Sequence, residues 1–183
     1  MMMKTLVAAL IAAGTLSAQA ATVSLSGTAS AAVGQTFTLD VSLLQPFDGE
    51  RAGDELLAFG MALSYDSSLL KLLGVSLADG WSDDSAFTGL ALSGSAFPGV
   101  ADAGQTSLTL ATLSFEVLGS GHTSVGVISD AASDFNQGLW YAMAPTLDVQ
   151  ATHALALAVP EPGSYAMMLA GLGLLSLAVR RRG

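Results

Sequence analysis

No cysteine occurs among the 183 residues. Thiol catalysis, thiolate metal sites and disulfide staples are thereby excluded, and stability must come from an apolar core. Histidine is almost as scarce, with only His122 and His153, so imidazole acid–base chemistry has few candidates. Basic residues are few as well: six Lys and Arg stand against fifteen Asp and Glu. Four of the six sit near the ends, as Lys4 and as Arg180, Arg181 and Arg182. Between residues 21 and 159 only Arg51 and Lys71 face fourteen acids, a formal charge of −12. A surface this acidic repels phosphate backbones and anionic head groups, which argues against nucleic acid as a partner. It suits an exported, soluble domain or one that meets divalent cations.

Long apolar runs occur only at the two ends. Lys4 precedes the run Leu6 to Leu16, and Ala18-Gln19-Ala20 follows it. A positive start, a short apolar stretch and a small-x-small site describe a secretory signal peptide over 1–20, cleaved after Ala20. Its apolar run is too short to span a bilayer. At the other end, Val159-Pro160-Glu161-Pro162-Gly163 leads into the apolar stretch Tyr165 to Val179, closed by the three arginines. As a helix that stretch is about 22 Å long, against a hydrocarbon layer of roughly 30 Å. Tyr165 and snorkelling arginines can cover part of the difference, and the arginines should stay cytoplasmic. The prolines flanking Glu161 hold the preceding segment extended, where a processing enzyme can grip it.

Pro160, Glu161 and Pro162, the apolar stretch and then Arg180, Arg181 and Arg182, in that order, resemble the PEP-CTERM sorting signal of Gram-negative bacteria. The resemblance implies recognition and removal of the tail by exosortase, a membrane-embedded cysteine protease-transpeptidase. It also implies membrane anchoring through the C-terminal helix before processing, and association of the mature protein with extracellular polysaccharide and biofilm matrix.

The remaining span, 21–158, is long enough for one domain with its own core, and its dominant pattern is period two. Phe37, Leu39, Val41 and Leu43 alternate with Thr36, Thr38, Asp40 and Ser42. Phe59, Met61, Leu63 and Tyr65 repeat the pattern, as do Leu147, Val149, Ala151, His153 and Leu155. Alternation of this kind marks strands with one buried face. From Ser107 to Leu118 the parity changes midway, and a β-bulge near Ala111-Thr112 would restore a common face. Thr22–Ser26, Leu70–Leu77, Phe87–Leu92 and Thr123–Ile128 are shorter strand candidates. The stretches 45–54, 79–85, 93–105 and 129–138 read as turns. Asp66 is placed to cap a single helical turn. Eight or nine short strands without a convincing helix predict an all-β, antiparallel jelly-roll β-sandwich.

Three blocks resemble the cohesin-like family, a jelly roll related to carbohydrate-binding modules. They are Val33 to Val41, Phe59 to Asp66 with Leu69 or Leu70 following, and Leu113 to Leu118 with Gly121 close behind. The resemblance implies a β-sandwich that binds rather than catalyses. Cohesins of cellulosomes bind dockerins, but a sorting tail of the present type is not their usual companion. The acidic stretches Asp48 to Glu55 and Asp79 to Asp84 have no dependable counterpart in that family.

Sites with chemistry are sparse. His122 reads as a surface turn residue and His153 as a partly buried strand residue. No nucleophile-elbow pattern is present. Asp83-Asp84, Asp130 and Asp134 could supply paired carboxylates for glycoside hydrolysis, though solvated acidic loops are the simpler reading. Calcium prefers oxygen ligands, and Asp79, Asp83 and Asp84 form the best cluster, followed by Asp48, Glu50, Asp54 and Glu55. Neither has the spacing of an EF-hand loop. Trp81, Trp140 and Tyr141 lie among turn residues, where they could stack on sugar rings or plug the ends of the sandwich. The expected function is that of a non-catalytic matrix or adhesion protein contacting extracellular polysaccharide or another surface protein. A calcium-assisted carbohydrate-binding module and a secreted glycan-active enzyme are the alternatives.

Overall fold

A computed structural model describes residues 21–130 and 132–159, together with Leu172 and Arg180. The leader with Ala18 and Ala20, and the sorting residues Pro160, Glu161, Pro162, Arg181 and Arg182, lie outside the described residues. So does the apolar stretch 165–179 apart from Leu172, which is helical and exposed. Among the described residues no helix is long and apolar enough to cross a membrane.

Between residues 21 and 159 the described residues form eleven strands and one short helix, in chain order. They are β1 (Thr22–Gly27), β2 (Ser30–Ala32), β3 (Thr36–Leu44), β4 (Glu55–Tyr65), β5 (Leu70–Leu77), β6 (Ser82–Asp83), α1 (Ser85–Thr88), β7 (Leu92–Ala101), β8 (Ser107–Val117), β9 (Gly121–Ile128), β10 (Gly138–Tyr141) and β11 (Gln150–Ala158). One sheet has the order β1-β3-β8-β5. The other has the order β2-β11-β9-β4-β7-β6, with β10 also paired to β4. Every pairing is antiparallel except that of β2 with β11, which is parallel. That parallel pair is a correction to the purely antiparallel expectation.

The alternating strands bury the predicted faces. Phe37, Leu39, Val41 and Leu43 of β3 point into the core, while Thr36, Thr38 and Asp40 are exposed. The bulge in β8 is present one residue upstream of its expected place. Val41 pairs with Ala111 and Ser42 with Thr109, so Leu110 is the extra residue. The shift lets Leu110, Ala111, Leu113, Phe115 and Val117 all be buried. Phe115 joins the two sheets: it stacks on Phe37 at 5.6 Å and meets Tyr65 edge-on at 5.3 Å. Asp66 caps a hydrogen-bonded turn and no helix forms there, its carboxylate accepting the amide and hydroxyl of Ser68 at 2.9 and 2.6 Å.

The expected strand Phe87–Leu92 is instead the end of α1 and the turn after it, with only Leu92 entering a strand. Asp83 accepts the Ser85 amide at 2.8 Å at the helix start. Gly89, at φ +73°, ends the helix by donating to the Ser85 carbonyl. The stretch 93–105, read as turns from its Gly and Ser content, holds most of β7. Small residues are needed there: a Cβ at Gly94 would come within 3.0 Å of the Phe59 ring and 2.9 Å of Leu77. The last strand starts at Gln150, and Leu147 makes only an isolated bridge to Leu139.

Candidate functional site

The outer face of the larger sheet carries an aromatic-lined cleft of about 180 Å³. Its floor is formed by Ala58 and Gly60 of β4 and Ser93 and Gly94 of β7. Three rings stand around it: Phe87 on α1, Phe135 in the loop before β10, and Trp140 on β10. They are 78 %, 45 % and 52 % exposed, a cost that burial would normally remove. Phe87 and Phe135 lie edge to face at 5.2 Å, and Asp84 and Asp134 also belong to the lining.

Local chemistry explains how these residues arrive together. Trp140 faces outward because its neighbours Leu139 and Tyr141 are buried, and a strand alternates its side chains. The loop 133–137 lies flat over β4. Asn136 accepts the Ala62 amide at 2.9 Å, and Gly60 leaves room for the Phe135 carbonyl. A Cβ at Gly138, whose φ is +80°, would overlap the Leu147 carbonyl, so the turn into β10 also requires glycine. Asp84 is held beside the cleft by donating its amide to the Ser93 carbonyl at 3.2 Å.

The residues singled out from sequence fall in different places. Trp140 is on the cleft. Trp81 is half-buried, its ring edge-on to Phe59 at 4.9 Å, and packs against the core. Tyr141 is a correction: it is 1 % exposed, donates its hydroxyl to the Pro46 carbonyl and offers no face to a sugar. Burial, with the charges of Glu50 and Asp54 behind it, pushes that hydroxyl's pKa far up. Asp79 and Asp83 are exposed and Asp84 is half-buried. Among the described residues no group of three or more His, Asp or Glu gathers closely enough to hold a metal ion. His122 is exposed at the start of β9, and half-buried His153 lies with Nε2 2.9 Å from the Thr28 carbonyl. Phe87 reads from sequence as the start of a strand and Phe135 as an aromatic in a turn-rich stretch, so neither carried a signal for the cleft.

Two carboxylates give the domain an acid-sensitive component. The hydroxyl and amide of Ser68 hold Asp66 below its ordinary 3.8, and those of Ser85 do the same for Asp83. A folded pKa below the unfolded one adds stability that is present above about pH 4 and is lost as pH falls through the folded value. Replacing both residues with alanine should therefore flatten the acid limb of a stability–pH curve. Unchanged steepness would show that other carboxylates carry the limb.

Comparison with known proteins bears on the fold and on the C-terminal tail. Residues 158–182 match the PEP-CTERM protein-sorting motif. No curated protein sequence matches the chain. Among solved structures, the cohesin module from the family 33 glycoside hydrolase of Clostridium perfringens superposes with a TM-score of 0.58 at 10 % identity, covering 77 % of this chain and 98 % of the module. A type II cohesin domain from the cellulosome of Acetivibrio cellulolyticus is also similar, at 11 % identity and TM-score 0.45, over 74 % of this chain and 95 % of that domain. The chain thus joins a cohesin-like β-sandwich to a C-terminal PEP-CTERM sorting motif, which marks it as an exported, surface-sorted protein.

Proposed function

We propose that this protein is a non-catalytic matrix or adhesion protein that binds extracellular polysaccharide through the aromatic cleft. It is exported by the leader 1–20, with cleavage after Ala20, and displays the sandwich 21–158. The tail 159–183 anchors it by the helix until exosortase processes it at Pro160-Glu161-Pro162. The arginines 180–182 keep the tail's end cytoplasmic.

The observation that carries the binding reading is the exposure of Phe87, Phe135 and Trp140 around one cleft with carboxylates beside them. Pyranose rings offer C–H faces to aromatic rings and hydroxyls to carboxylates, which fits this lining. A domain of charge −12 favours a neutral glycan over a uronic-acid-bearing one. The lining lacks histidine, lysine and arginine but holds two of the acids named above as a possible hydrolytic pair, Asp84 and Asp134; in this reading they accept sugar hydroxyls.

The test is a glycan array followed by titration of the best neutral oligosaccharide. Trp140→Ala should weaken binding at least about tenfold, about 1.4 kcal/mol. Trp81→Ala should act on stability more than on affinity, because that ring is packed inward. Equal affinity in Trp140→Ala and wild type would remove the cleft from the interaction. Release of reducing sugar from the producer's polysaccharide would overturn the non-catalytic assignment.

A further inference from the structure

The cleft is one end of a longer strip on the outer face of the larger sheet, and the register of three strands defines that strip. Trp140 of β10 pairs with Ala58 of β4, and Ala58 pairs with Ser95 of β7, so the three form one row across the sheet. Gly138, Gly60 and Ser93 form the next row. Side chains paired across strands share a face, and Trp140, Ala58 and Ser93 line the cleft. Ser95 therefore faces the same side, at the margin of the cleft.

Beyond Ser95 the ladder between β4 and β7 is interrupted. Leu56 pairs with Val100 and Ala58 with Ser95, so residues 96–99 stand opposite Leu57 alone. A Cβ at Gly99 would come within 2.7 Å of the Leu57 side chain and 2.8 Å of that of Glu55, so the bulge is folded down against β4. Alternation takes Ser95 outward, Ala96 inward and Phe97 outward again. Burial agrees: Ser95 is half-buried, Ala96 is buried, and Phe97 is the most exposed large apolar side chain among the described residues. A bulge of this kind re-aims a side chain. Here it holds a phenyl ring in water on the side that carries the cleft, where the ring adds nothing to the core.

Building on the glycan-binding reading of the cleft, we propose that Phe97 is a second stacking platform. The ligand is then a linear neutral oligosaccharide laid from the Trp140 cleft across Ala58 and Ser95 to the Phe97 ring. Neighbouring strands lie about 4.8 Å apart, so β10 and β7 are separated by about 10 Å across β4. One pyranose ring cannot cover both aromatic side chains, whereas a chain of several can. Ala58 and Ser95, between the two rings, are small and uncharged, which leaves a low floor for a sugar chain and no ionic partner for an acidic one. The acidity of the whole domain disfavours uronic acids further. Phe97 therefore acts on chain length, touching only ligands long enough to leave the cleft.

The test is calorimetric titration of the full-length chain in detergent. The probes are size-graded fragments, disaccharide to hexasaccharide, of the neutral glycan that binds best on the array. Wild-type affinity should rise about fivefold or more between the disaccharide and the longest fragment, the effect of one added stacking contact. Phe97→Ala should remove that rise and leave disaccharide affinity and melting temperature unchanged. Phe97→Tyr, which keeps the ring, should keep the rise, whereas Trp140→Ala should weaken fragments of every length. A full rise in Phe97→Ala, or an equal loss at every length, would overturn the second platform while the Trp140 result leaves the cleft standing. Absence of binding by every neutral glycan on the array would overturn the cleft reading, and the platform with it.

Discussion

Truncation of Phe115 to alanine is expected to cost about 3–5 kcal/mol of folding stability. The ring is fully buried in β8, where it pairs with Phe37 of β3 and Leu72 of β5. It also reaches across to Tyr65 of the other sheet. Removing it therefore opens a cavity between the sheets and not at one edge. A domain of this size is stable by roughly 5–15 kcal/mol in total, so a large fraction would be lost. Urea denaturation measures this as a fall in midpoint with little change in slope. Phe87→Ala is the control: that ring is mostly exposed, so its loss should stay within about 0.5 kcal/mol. Equal effects from the two variants would mean that the sandwich interior is not centred on Phe115.

Gly60→Ala is expected to damage stability and binding together. A Cβ at this position would overlap the Phe135 carbonyl and come within 3.2 Å of its carbon. Both atoms are backbone, so no rotamer change can relieve the clash and the loop 133–137 must lift. Lifting it strains or breaks the Ala62–Asn136 hydrogen bond and carries Phe135 away from the cleft. Overpacking of this kind costs about 1–3 kcal/mol, and the hydrogen bond about 1 more. The affinity for an oligosaccharide should fall with it. Gly74→Ala makes the comparison, since a Cβ there meets nothing within 4 Å and should change neither quantity. If Gly60→Ala binds and melts like the wild type, the loop does not hold the cleft in the way described.

These two positions also show how far the sequence can be read. Phe115 was legible. Its place in a period-two run, after a parity shift that called for a bulge, marks it as inward-facing, and the bulge lies within a residue of its expected place. Gly60 was not legible as a site residue. Its role depends on a carbonyl 75 positions later in the chain, and a single sequence carries no record of that approach. Asp54 is similar. From sequence it is one acid among several in a turn-rich stretch, and only its full burial and the Glu55 and Met143 amides on its Oδ1 single it out.

Misreadings followed the same division. Strand β7 was mistaken for turns because Gly and Ser are poor strand formers in isolation. They are tolerated here because β4 and the Phe59 ring leave no room for larger side chains. The segment 87–92 reads as a strand from a weak apolar pattern, but the Asp83–Ser85 turn and the left-handed Gly89 close a short helix there instead.

Periodicity, charge and the Pro-Glu-Pro tail made an acidic β-sandwich with a sorting motif legible from the sequence. Those properties are local: they depend on which residues follow one another, and burial of alternate side chains enforces them wherever the strands pair. The cleft and the burial of Asp54 are products of long-range packing. Phe87, Phe135 and Trp140 meet because a loop crosses β4 at a glycine, and the fully buried Asp54 is held by an amide from Met143, 89 positions later in the chain.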